Sequence, residues 1–242
     1  MFFNLRICRL FGADIYIHST FFMFAFVFMY ANVNRHGFEA APIFAAYYAC
    51  AFASVLVHEY GHVLVARLHG IDCRKITLHG LGGLAQLDQA PVRPRDEFLI
   101  AAAGPATSVG LYAALALAAE VLPQSPVQDF ISVMAVVNIF IAGFNMIPAY
   151  PLDGGQMLHA LLRTFLGEDA ARTVASRLAQ ALGAGMVAFG WHYGLVNMML
   201  IGGLLFFLTP SALGRGWMWR SGRQVRPDAS ASTNGRPSGA GD

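Results

Sequence analysis

Four stretches of this chain, residues 15–34, 40–58, 98–119 and 130–152, contain no Asp, Glu, Lys or Arg. Each is close to the roughly 20 residues that cross the hydrocarbon core of a bilayer. A fifth uncharged stretch, 178–214, is nearly twice as long. It is divided by Gly190-Trp191-His192-Tyr193-Gly194, whose turn residues and interfacial aromatics suit a hairpin between two spans. Lipid offers no partner for backbone amides, so each run is expected to be helical. The chain reads as an all-α polytopic membrane protein with about six transmembrane helices.

The charged residues agree with that count. Of the sixteen Lys and Arg residues, only Arg35 falls on the opposite side when the loops are taken alternately. The positive-inside rule then places both termini in the cytoplasm, and a bacterial inner membrane is the expected location. Arg6 and Arg9 before the first run resemble a signal peptide, but no convincing small-residue cleavage site follows, so the run is read as a retained span. The hydrophobic fraction of 56% and a mean hydropathy of +0.52 are those of a membrane protein. A net charge of +2 with scattered basic residues gives no basis for nucleic-acid binding. Cys8, Cys50 and Cys73 lie far apart and suggest neither a disulfide framework nor a cysteine metal site. One membrane domain, 1–220, is expected, followed by a Ser/Gly/Pro/Ala-rich cytoplasmic tail, 221–242, too poor in bulky apolar residues to pack.

Within the second run lies His58-Glu59-Tyr60-Gly61-His62, an H-E-x-x-H motif. On a helix, His58 and His62 stack on one face and can bind one zinc, with Glu59 beside them as a general base. Their distances from Arg67 put the motif roughly 7 to 14 Å below the cytoplasmic end of its helix at 1.5 Å per residue. A catalytic zinc usually takes a third protein ligand. Asp153 is the carboxylate at the end of span four, in Asn145-Met146-Ile147-Pro148-Ala149-Tyr150-Pro151-Leu152-Asp153-Gly154-Gly155. Two prolines and two glycines break the helix there, and broken backbone at membrane depth is tolerated where it lines a cavity. The other reading is a terminal Asp capping the helix that begins at Gly154.

Together these two segments resemble the site-2 protease family of intramembrane zinc metalloproteases, whose signatures are H-E-x-G-H and N-x-x-P-x-x-P-L-D-G. Ala103-Gly104-Pro105-Ala106-Thr107-Ser108 is similar to that family's A-G-P element, with Ser108 where many members have Asn. The resemblance implies one Zn2+ per chain held by His58, His62 and Asp153, Glu59 as general base and Asn145 near the substrate carbonyl. Asn145 serves equally well as interhelical glue, and Asn138 reads as structural.

The resemblance further implies a zinc endopeptidase acting on membrane-spanning protein substrates within the bilayer, and a short membrane-associated sheet. Residues 76–87 suit a β-hairpin with Gly82-Gly83 as its turn, and its edge could pair with an unwound substrate. An inactive family member acting as a scaffold or chaperone is the alternative, disfavoured because the chemical residues are all present. His79 and His159 are reserve ligands and His18 reads as interfacial. The sequence leaves oligomeric state and substrate identity open.

Overall fold

A computed structural model describes residues 3–80 and 82–214. The expected tail, 221–242, lies outside the described residues. The elements in chain order are β1 (Asn4–Leu10), β2 (Ala13–His18), α1 (Ser19–His36), α2 (Ala41–Leu68), β3 (Cys73–His79), β4 (Gly82–Leu87), α3 (Pro94–Val121), α4 (Pro126–Asn145), α5 (Asp153–Leu166), α6 (Glu168–Tyr193) and α7 (Val196–Gly214). A single 3-10 turn, Phe38–Ala40, leads into α2.

Local chemistry sets several boundaries. Proline occupies the first turn of α2, α3 and α4, where its missing N–H has no helical partner to lose. The Ser125 hydroxyl caps α4 by accepting from the amide of Gln128 at 3.3 Å. Gly194, left-handed at φ +69°, ends α6 and turns the chain into α7.

Among the described residues, three helices are long and apolar enough to cross a membrane: Phe38–Leu68, Pro94–Val121 and Pro126–Asn145. Val196–Thr209 is a shorter apolar helix. The end of α1 carries Asn32, Asn34, Arg35 and His36, and the start of α6 is charged, which dilutes both segments. Large apolar side chains point outward from these helices, among them Phe26, Val136, Phe140 and Phe207. Such a surface suits lipid and would be costly against water.

Among the described residues the sheet has four strands in the order β1-β2-β3-β4. β1 and β2 are an antiparallel hairpin turned by Phe11 and Gly12, both at positive φ; β2 and β3 run parallel; β3 and β4 are antiparallel. It corrects the sequence reading in two places. Residues 13–18 belong to a strand, and α1 starts only at Ser19. The reason is a period of two hidden at the edge of an apolar run: Ala13 and Ile15 are buried, while Asp14 pairs with Arg6 and Tyr16 lies beneath the Lys75 ammonium. The turn follows β3 at Gly80, and Gly82 and Gly83 belong to β4 itself, opposite His79 and Leu78.

Ala13, Ile76, Leu78, Ala85 and Leu87 pack one sheet face onto Val63 and Ala66 of α2 and Ile100 of α3. Burying each of the larger side chains contributes roughly 1.5–3 kcal/mol. The sheet is thereby seated beside the half of α2 that carries the two histidines.

Candidate metal centre

His58, Glu59 and His62 are all buried in α2, although a glutamate and two histidines are costly to bury without partners. α3 supplies partners to both imidazoles. His62 Nδ1 lies 2.7 Å from the Ile100 carbonyl oxygen, and His58 Nδ1 lies 2.9 Å from Ser108 Oγ. A carbonyl only accepts, so Nδ1 of His62 carries the hydrogen and, in the neutral ring, Nε2 presents its lone pair.

Glycines make this approach possible. A Cβ on Gly104 would collide with His62 Nε2 and come within 2.7 Å of His58 Nε2. Gly61 lets α2 lie against Ala103 and Thr107 of α3, where any side chain would strike the Thr107 hydroxyl.

The third ligand, a carboxylate, comes from the start of α5, just after the loop that follows α4. The first turn of α5 packs directly on the preceding loop: a Cβ at Gly154 would meet the Met146 and Ile147 carbonyls, and one at Gly155 would meet Ala149 and Tyr150. The Tyr150–Pro151 peptide is cis. The Thr209 hydroxyl of α7 lies 3.1 Å from the Tyr150 carbonyl, and Ala149 packs with Ala179 and Leu205 of the α6–α7 hairpin. Asp153 is the first residue of α5 and turns away from capping it: Oδ2 sits 3.0 Å from His58 Nε2 and Oδ1 sits 3.4 Å from His62 Nε2.

The two Nε2 atoms are 3.3 Å apart. Donors about 2.0–2.2 Å from a tetrahedral ion stand roughly 3.3–3.6 Å from one another, and the spacing of the two Nε2 atoms suits a single metal. His58, His62 and Asp153 are the one cluster of this kind among the described residues. The donor chemistry, two imidazoles and a carboxylate, fits zinc.

Glu59, beside the two histidines on α2, reaches toward the sheet. Its Oε2 accepts the amide of Ala85 in β4 at 3.1 Å, and Gly83 leaves space for its side chain. Among the described residues, no hydrogen bond joins Asn145 to this cluster; its Nδ2 donates to the Ile141 carbonyl at 3.0 Å. Asn138 ties α4 to α2 through Ser54 Oγ at 3.0 Å.

The reserve histidines lie in other settings. His79 stacks on His18 with ring centroids 4.8 Å apart, and burial, with the His18 ring beside it, holds His79 below the ordinary imidazole range. His159 is paired to Glu97 at 2.8 Å. Sequence reasoning passed over Glu97 altogether and did not connect Ser108 with His58. The one available signal for Ser108 was its place in the A-G-P segment.

Membrane-length helices around a buried histidine, histidine and aspartate cluster with an adjoining glutamate define a membrane protein with a metallopeptidase-type centre. The sequence pattern of peptidase family M50 matches residues 46–124 and 115–189. The chain belongs to that family, the site-2 protease family. It is 28% identical over 206 residues to the zinc metalloprotease MJ0392 of Methanocaldococcus jannaschii, covering 85% of this chain and 59% of that one. It is 31% identical over 113 residues to the stage IV sporulation protein FB of Bacillus subtilis, covering 46% of this chain and 38% of the relative. The solved site-2 protease from Methanocaldococcus jannaschii superposes with a TM-score of 0.68 at 27% identity, covering 86% of this chain and 94% of that chain. The chain thus spans between 38 and 59% of the length of the curated relatives it matches.

Proposed function

We propose that this chain is a zinc endopeptidase that hydrolyses peptide bonds in or near the transmembrane segments of membrane proteins. The observation that carries this reading is the pairing of the His58, His62 and Asp153 donors with a buried glutamate that meets the Ala85 amide of β4. A zinc ion held by the three donors supplies a Lewis acid and lowers the pKa of water. Glu59 accepts the proton of the attacking water at its carboxylate and passes it to the leaving amine. The Asn145 amide donates to the developing oxyanion after leaving the Ile141 carbonyl.

A membrane-spanning substrate is helical, and its amides become reachable only when it unwinds. β4 is the last strand of the sheet, and its amides can pair with an extended substrate segment beside Glu59. In this reading α1, α2, α3, α4, α6 and α7 are the six spans, both termini are cytoplasmic, and a bacterial inner membrane is the setting. The segregation of basic residues supports that topology.

The test combines zinc analysis of detergent-purified protein with cleavage of a panel of single-span membrane substrates. Wild type is expected to hold about one zinc per chain and to cleave. Glu59→Gln is expected to keep the metal and lose cleavage, and Asp153→Ala to bind metal weakly. Full cleavage by zinc-loaded Glu59→Gln would remove the assigned base, and a metal-free wild type purified without chelators would end the proposal.

A further inference from the structure

A second buried polar cluster, separate from the ligand set, joins α3 to α5. Glu97, in the first turn of α3, is buried, and both of its carboxylate oxygens are used: Oε1 lies 2.8 Å from His159 Nδ1 and Oε2 lies 2.8 Å from an Arg163 terminal nitrogen. His159 and Arg163 stand one turn apart on α5. The remaining Arg163 nitrogens reach the Val92 carbonyl at 2.7 Å and Glu168, at the start of α6, at 2.8 Å. One guanidinium therefore joins the segment between β4 and α3 to three helices.

We propose that Glu97, His159 and Arg163 are positioning residues that hold Asp153 in coordinating range of His58 and His62. The inference rests on the metal-site reading above. α3 orients both histidines through the Ile100 carbonyl and Ser108, whereas α5 carries Asp153, so the ligand set is complete only while these helices keep their spacing. Asp153 is the first residue of α5, and His159 and Arg163 lie roughly 9 and 15 Å farther along its axis at 1.5 Å per residue. A tilt of about 5° over that lever moves the carboxylate by about 1 Å. Metal–ligand distances tolerate only about 0.2 Å. Breaking a buried ion pair also leaves an uncompensated charge, so the clamp resists loosening.

The experiment measures zinc affinity by chelator competition, and the visible spectrum of the cobalt-substituted protein, in wild type, Glu97→Gln, Arg163→Lys and Arg172→Ala. Arg172 forms an exposed pair with Glu168 and serves as the control. Glu97→Gln and Arg163→Lys are expected to weaken zinc binding by about 10- to 100-fold, the range seen for groups behind metal ligands. The cobalt spectrum is expected to change in both and in neither wild type nor Arg172→Ala. If wild type binds zinc and both clamp variants match its affinity and spectrum, the clamp has no positioning role, even if their melting temperatures fall. If one variant fails to fold, the other decides. A wild type that binds no zinc would overturn both the metal-site reading and this inference.

Discussion

The backbone amide of Ala85 donates to Oε2 of Glu59 across 3.1 Å, so the last strand of the sheet and the glutamate of the H-E-x-x-H motif are in direct contact. Among the described residues β4 has β3 on one side and no strand on the other, and the Ala85 amide that meets Glu59 lies on β4. Two residues earlier, Gly83 meets the same side chain. The proposed base and the proposed substrate-binding edge thus share one surface.

That surface has no room for a side chain at residue 83. A Cβ there would collide with Glu59 Cγ and lie 2.7 Å from Oε1. Gly83→Val is expected to lower cleavage by about 100-fold, the scale of a 1 Å misplacement of a reacting group. Zinc content should stay at the wild-type level. Unchanged turnover in a membrane-substrate assay would separate Glu59 from the chemistry.

Gly104 makes the opposite separation, affecting the metal before the base. An added methyl collides with His62 Nε2 and crowds His58 Nε2 at 2.7 Å. Gly104→Ala is expected to bind zinc at least 100-fold more weakly, measured by chelator competition. Stoichiometric, tight zinc in that variant would mean that the two imidazoles do not share an ion.

Ser108 supports His58 from behind, through the 2.9 Å contact with Nδ1. Ser108→Ala leaves that nitrogen without its partner and should cost about 10- to 100-fold in zinc affinity or turnover. Equal affinity and turnover in wild type and variant would make Ser108 a packing residue.

Zinc binding is expected to stabilise the fold as well as the site. With free zinc at about 1,000 times its dissociation constant, removal by a chelator should cost about 4 kcal/mol. The check is a thermal melt before and after chelation, with recovery on zinc addition. A melting temperature insensitive to both would argue against a ligand set drawn from two helices.

Cys73 gives a pH test outside the centre. Burial, its largest influence, pushes the thiol up to about 11, with a backbone hydrogen bond at Lys75 acting the other way. The folded value lies above the unfolded one, so this thiol's contribution to stability is complete below the unfolded pKa and is lost as pH rises toward 11. Maleimide at about pH 8 should label exposed Cys8 and spare Cys73. Equal labelling of both in the folded protein would show that β3 is open to solvent.

Short-range spacing was the most legible part of the site. The interval between His58 and His62 places both rings on one helical face, and Pro148, Pro151, Gly154 and Gly155 mark where the backbone breaks before Asp153. Of the segment at 190–194 expected to form the hairpin, only Gly194 leaves the helix, while residues 190–193 remain in α6. Residues 13–18 were illegible as a strand because their alternation merges into the apolar run of α1. Pairings across long separations left no local pattern: Glu97 meets residues 62 and 66 positions away. The direction of the Asn145 side chain depends on which carbonyl it finds, and here that is its own helix's Ile141.

The parallel pairing of β2 with β3 imposes an order of assembly. All of α1 and α2 lies between those two strands, so the sheet cannot close during synthesis until that whole helical pair has emerged and been accommodated. β4 joins through β3, and Glu59 acquires its Ala85 contact only then. A nascent chain therefore carries its H-E-x-x-H motif before the strand that Glu59 contacts has been made.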